Sequence, residues 1–285
     1  MRESWISRTN TIQSRMSLSR KAIGIFDSGV GGLTVVKQVF EKLPFENVIY
    51  FGDTARTPYG PRSSEIVRKF SVQDISFLST QGVKLIVVAC NTASAVALDY
   101  LKKIFQLPLM GVIVPGSKAA VKATRKGRIG VIGTAGTIRS ESYTRAIKKI
   151  DHKIKVFGYP CPLFVSLAEE GYINKKATYL IAQEYLTPLK KQKIDTLVLG
   201  CTHYPLLKKV ISTVIGEKVT LIDSAEETAL EVKRILESKD SLNPDKSEPS
   251  YKFYVSDFPE KFIQIGERFL GGKIKEVKKI DINKY

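Results

Sequence analysis

Two stretches of this chain carry one pattern, Lys84 to Ser94 (KLIVVACNTAS) and Asp195 to Pro205 (DTLVLGCTHYP). In each, a short apolar run rich in β-branched residues ends at a cysteine, and a helix-like segment opens just beyond it. A run as uniformly apolar as Leu85 to Ala89 suits a strand buried on both faces, as in a parallel sheet covered by helices. Cys90 and Cys201 then fall where a strand ends and a helix begins. Open α/β sheets bind ligands at that edge. The unpaired N–H groups there favour a thiolate or a carboxylate. Taken alone, Cys90 reads equally well as a buried structural thiol, because free cysteine packs as a small hydrophobe.

The repetition changes that balance. Ala22 to Ser28 (AIGIFDS) is echoed by Arg128 to Thr134 (RIGVIGT), and Val48 to Asp53 (VIYFGD) by Ile154 to Tyr159 (IKVFGY). With the cysteine stretches these make three matches at nearly one offset, the mark of a duplicated unit. The expected fold is α/β: two similar open parallel-sheet domains related by a pseudo-two-fold axis, with the active site in the cleft between them. Facing halves would set Cys90 and Cys201 on opposite walls of that cleft, where two thiols can do what one cannot.

At 285 residues the chain exceeds the usual single-domain size, and its hydrophobic content of 43% is enough for ordinary cores. No apolar run reaches the length of a membrane span. Three cysteines without a CxxC pair, and only two histidines, argue against a disulfide framework and against a zinc site. A cytoplasmic, reducing setting is expected, with no metal and no membrane partner. The formal charge of +17 raises the question of nucleic acid. Its lysines are scattered in pairs such as Lys102–Lys103 and Lys208–Lys209, with no basic run interleaved with aromatics. We read them as a solvated surface that attracts an acidic substrate, and expect no nucleic-acid partner. A salt-dependent DNA-binding curve would show one.

Residues 1–21 have few apolar positions and a net charge of +4, and are expected to be a disordered, dispensable extension. Ala22 to Phe26 reads as a strand running into Asp27-Ser28-Gly29-Val30-Gly31-Gly32, with a helix from Leu33 to Glu41. These are the ingredients of an anion cradle, but the spacing is neither GxGxxG nor a P-loop. Asp27 could meet a substrate ammonium, orient a catalytic group, or simply cap the helix. Helices are expected over 64–80, 93–105, 117–125, 139–150 and 205–215, with Pro115-Gly116 as a hinge. Phe164 to Gly171 reads as a helix bearing Glu169 and Glu170. The end, 251–277, reads strand, helix, strand.

IFDSGVGGLTV, the DTARTPYG loop, VVACNTAS and VLGCTHYPLL, in this order, resemble the glutamate racemases of the aspartate/glutamate racemase superfamily. The resemblance spans roughly 22–277. It implies cofactor-independent interconversion of L- and D-glutamate, supplying D-glutamate for peptidoglycan synthesis. It also implies a first domain of 22–115 plus 224–285 and a second of 116–223; a homodimer is expected. By matching positions it makes Cys90 and Cys201 the acid/base thiols, assisted by Asp27 and His203, with Glu170 as a further acid near Cys201. The substrate-contacting residues it implies are Asp27, Ser28, Tyr59, Gly60, Asn91, Thr92, Thr202 and His203. The chemistry agrees: inverting a carbon needs proton removal on one face and delivery on the other, and thiols, near pKa 8.5, reach both forms close to neutrality.

Overall fold

A computed structural model describes residues 18–285. Its strands are β1 (Ile23–Asp27), β2 (Val48–Gly52), β3 (Leu85–Val88), β4 (Leu109–Gly111), β5 (Arg128–Gly133), β6 (Lys155–Pro160), β7 (Thr196–Gly200), β8 (Thr220–Asp223), β9 (Tyr251–Val255) and β10 (Lys278–Lys279). They form two sheets, β10-β9-β2-β1-β3-β4 and β6-β5-β7-β8, in which every pairing is parallel. The order β2-β1-β3-β4 in one is matched by β6-β5-β7-β8 in the other. The sequence echoes thus fall on equivalent strands, β1 with β5, β2 with β6 and β3 with β7. The first sheet is then extended by the chain's end, as β9 pairs with β2.

Burial explains the near-continuous apolar runs. Every residue of β1, β2, β3 and β7 is buried, with helices on both faces. One core lies on each side of the first sheet: Ile23, Ile25 and Val87 face the helices Leu33–Lys42 and Ser224–Ser238, while Phe26, Ile86 and Val88 face Ser64–Thr80. The helix Ser64–Thr80 opens on Ser63, whose hydroxyl accepts from the Ile66 N–H.

Several expectations are corrected. The helix expected over 93–105 begins at Asn91 and is broken at Ala97 into Asn91–Val96 and Leu98–Ile104. Pro115-Gly116 is no hinge: both residues lie in the first turn of the helix Ile113–Ala123, where proline's missing N–H costs nothing. The expected domain boundary between 115 and 116 therefore falls inside a helix. Among the described residues, none of the helices is long and apolar enough to cross a membrane.

The expected disordered extension over 1–21 also needs correction at its end; residues 1–17 lie outside those described. The Ser19 carbonyl accepts from Lys84 Nζ at 2.6 Å, and the Arg20 carbonyl accepts from Asn47 Nδ2 at 2.9 Å. Lys84 is itself buried, ion-paired to Glu46 at 2.6 Å and bonded to the Ser241 carbonyl. The test compares a chain truncated to begin at Ser17 with one truncated to begin at Ala22. The shorter chain leaves this buried cation an acceptor short, which should cost about 1–3 kcal/mol in urea denaturation. Equal stability of the two would rule this anchoring out.

Candidate active site

The site is built from four strand-to-helix turns that meet in pairs. The turn after β1 (Asp27 to Gly32) meets the turn after β7 (Cys201 to His203). The turn after β5 (Thr134 to Thr137) meets the turn after β3 (Cys90 to Thr92). At the first meeting, Thr34 Oγ1 donates to the Thr202 carbonyl at 3.1 Å, and Thr202 Oγ1 donates to Asp27 Oδ1 at 3.3 Å. At the second, Thr92 Oγ1 lies 2.9 Å from Thr134 Oγ1 and 3.2 Å from Thr137 Oγ1, while the Gly136 N–H donates to the Gly60 carbonyl at 3.0 Å. Each unit's first turn therefore rests against the other unit's cysteine turn, as a two-fold arrangement requires.

Cys90 is the N-cap of the helix Asn91–Val96, its sulfur accepting from the Ala93 N–H at 3.5 Å and its thiol donating to Ser28 Oγ at 3.5 Å. Burial, and then the negative charge of Asp27, push this thiol up to about 12. Charge on Cys201 acts in the same direction, so the two sulfurs sense each other. Asp27 is fully buried, and burial raises its carboxyl above the usual range. The charge of His203 and the N–H groups of Gly29 and Gly32 oppose that rise.

The other wall has a different electrostatic character. His203 Nδ1 lies 3.8 Å from Cys201 Sγ, and its Nε2 lies 2.8 Å from Glu169 Oε1. Burial opposes a charged imidazole, but contact with the Cys201 sulfur and the Glu169 carboxylate prevails and raises His203 to about 10. Glu169 is held below the usual carboxylate range: burial works against its ionised form, but the bond to His203, the charge of His203 and the charge of Lys261 together outweigh it. His203 is thus an imidazolium near neutral pH.

The structure corrects one expected acid. Glu170 is exposed and Glu169 is the carboxylate that reaches His203. Tyr59 is buried with its hydroxyl turned away into a cluster, within hydrogen-bond reach of both Asp53 and Asp74 Oδ2, so only its backbone can serve the cleft. Arg56 pairs with both of those carboxylates and fixes the loop before Gly60. Asn91 receives the Tyr143 hydroxyl on Oδ1 at 2.7 Å, whereas its buried Nδ2 has no partner among the described residues. An amide donor left over in this way is a ready ligand contact.

Thr134, Thr137 and Tyr143 were not legible as site residues. The echo of RIGVIGT with AIGIFDS places Thr134 opposite Ser28, and that was the available signal. Among the described residues no group of three or more His, Cys, Asp or Glu side chains is arranged to hold a metal ion.

Comparison with known proteins adds to this geometry. The chain matches the Asp/Glu/Hydantoin racemase family over residues 32–232. It is 53% identical over 262 residues to a glutamate racemase from Geobacter metallireducens, covering 92% of this chain and 97% of that one. Among solved structures it resembles glutamate racemase from Francisella tularensis in complex with D-glutamate, with a TM-score of 0.89, 40% identity, and coverage of 94% of this chain and 100% of that one. It also resembles Escherichia coli glutamate racemase in complex with L-glutamate and an activator, with a TM-score of 0.77, 30% identity, and coverage of 92% and 98%.

Proposed function

The chain belongs to the Asp/Glu/Hydantoin racemase family, and we propose that it is an isomerase that interconverts L- and D-glutamate with Cys90 and Cys201 as opposed acid/base thiols. The observation that carries this reading is the unlike surroundings of two cysteines at equivalent positions, Asp27 acting on Cys90 and His203 lying beside Cys201. Inversion requires a base on one face of the α-carbon and an acid on the other at the start of each turnover. Burial and Asp27 hold Cys90 as the thiol. The His203 imidazolium beside Cys201 supplies the counter-ion that a sulfur anion needs.

With L-glutamate bound, Cys201 takes the α-proton and the Cys90 thiol delivers its own to the opposite face, giving D-glutamate. The two sulfurs have then exchanged states. To restore the starting state Cys201 releases its proton to solvent and pairs again with the His203 imidazolium, while Cys90 regains one. Asp27, a carboxyl raised by burial, is suited to receive the proton that Cys90 must release for the reverse direction. Asn91 Nδ2 and the hydroxyls of Ser28, Thr92 and Thr202 are the groups we assign to the substrate's polar ends, together with the Tyr59-Gly60 backbone. The reaction as drawn uses only these groups and no organic cofactor. Family membership further supports a cytoplasmic homodimer whose product supplies peptidoglycan synthesis.

Racemisation in deuterated water tests the mechanism. Each thiol carries one exchangeable hydron, so early product should hold solvent deuterium at Cα while the starting enantiomer holds little. Equal early labelling of both enantiomers would point to one base acting on both faces. Circular dichroism with glutamate and with aspartate in parallel decides the substrate, and faster turnover of aspartate would reassign it.

A further inference from the structure

The helix Pro259–Leu270 belongs by sequence to the chain's end and packs on the first unit, yet two consecutive residues near its end touch the second. Arg268 Nη1 donates to the Glu169 carbonyl at 2.9 Å and to the Ala168 carbonyl at 3.3 Å. The Phe269 ring meets the His203 ring edge to face, centroids 5.2 Å apart. Both members of the His203–Glu169 pair are therefore held from across the cleft.

The local chemistry explains why an arginine belongs there. The helix Leu163–Glu169 ends at Gly171, whose φ of 73° suits glycine, and the Tyr172 N–H turns back to the Leu167 carbonyl. That leaves the Glu169 carbonyl to be satisfied from outside, and a cation is the favoured partner at a helix C-terminus. A Cβ at Gly171 would stand 3.0 Å from the guanidinium, so glycine is needed to admit the arginine as well as to make the turn.

We propose that Arg268 is a positioning residue that fixes Glu169 against His203, and so couples the joining of the two units to proton transfer at Cys201. The activity part of this rests on the racemase reading given above. The groups facing His203 are Asp27 on β1, Cys201 in its own turn and Glu169 on the helix Leu163–Glu169; Lys261, on the helix of Arg268, faces Glu169. Glu169 helps hold the proton on His203, and Arg268 acts by keeping the Glu169 carboxylate in place.

The chain has only two histidines, so proton NMR follows His203 directly, with His152→Gln making the assignment. The His203 midpoint, expected near 10 in the intact chain, should fall by about one unit or more in Arg268→Ala. Glu169→Gln should give a similar fall, and the double variant should fall no further than Glu169→Gln alone. Arg268→Lys should recover much of the intact value. Lys261→Gln, which removes a charge but no carbonyl contact, should move the midpoint less. In glutamate turnover, kcat/KM of Arg268→Ala should drop about tenfold or more, with its high-pH limb displaced downward alongside the NMR midpoint. An unchanged His203 midpoint in Arg268→Ala, a fully additive double variant, or an equal shift in Lys261→Gln would each overturn the proposal. Absence of glutamate turnover in the intact chain would sink the racemase reading and leave the NMR result to decide the role of Arg268.

Discussion

Cys90→Ala and Cys201→Ala should each lose about three orders of magnitude or more in glutamate racemisation, because groups that act as a unit fail as a unit. The stronger diagnostic lies in what each variant keeps. Cys90→Ala retains Cys201 and its His203 neighbour, so it should still wash solvent deuterium into L-glutamate without inverting it. Cys201→Ala should show whatever exchange survives on D-glutamate instead. Cys161 is the internal control. It is fully buried among Phe164, Leu199 and Tyr204, and its carbonyl accepts the Tyr204 hydroxyl. Burial pushes its thiol far up, which suits packing and not proton transfer. Cys161→Ala should stay active and cost about 1–2 kcal/mol of stability from the lost sulfur contacts. If Cys161→Ala is inactive while either of the other two is dispensable, the two-thiol mechanism fails.

What the sequence made legible follows from what repeats. Strands buried on both faces are short apolar runs, and duplication wrote three strands twice, with β6 alone of the six largely exposed or half-buried, so the two-sheet plan was legible in the sequence. Single helices were less visible. The helix Lys176–Lys191 is not among those expected, and it carries Pro188 in its last turn, where a proline ordinarily ends a helix. The break at Ala97 left no mark, since neither proline nor glycine stands there. The choice between Glu169 and Glu170 was a question of helical phase. Leu163, Ser166 and Glu170 form an exposed stripe at spacings of three and four, while Val165 and Glu169 share a half-buried flank next to Phe164 and Ala168. Adjacent residues on a helix point about 100° apart, so only one of the two acids could reach His203. Arg268 was invisible for another reason. Its partners are backbone carbonyls a hundred positions away, and backbone partners leave no trace in side-chain pattern.

Gly31→Ala should be nearly as damaging as loss of a cysteine, although the residue carries no chemistry of its own. A Cβ at this position would stand 2.5 Å from Cε1 and Nδ1 of the His203 ring, and as close to the Thr202 hydroxyl. Real Cβ atoms do not approach so near, so one side must move. His203 cannot retreat, because Glu169 holds Nε2 and Phe269 packs against the ring. Thr202 is tied to Asp27 and, through its carbonyl, to Thr34. The strain must therefore be relieved by prising the β1 turn from the β7 turn, which carries Asp27 away from Thr202 and the whole first unit away from Cys201. Overpacking of this kind costs about 1–3 kcal/mol. The kinetic loss should be larger, about a hundredfold or more in kcat, because a displacement near 1 Å is enough to spoil proton transfer between fixed groups. Gly272→Ala offers the contrast, since nothing lies within 4 Å of its would-be Cβ, and it should be neutral. Urea denaturation separates the two effects. A Gly31→Ala protein that stays folded at assay temperature, loses activity, and shows a His203 NMR midpoint below that of the parent would place the damage at the contact between the turns. Full activity in Gly31→Ala would mean that the two units do not need the close approach of Gly31 to His203.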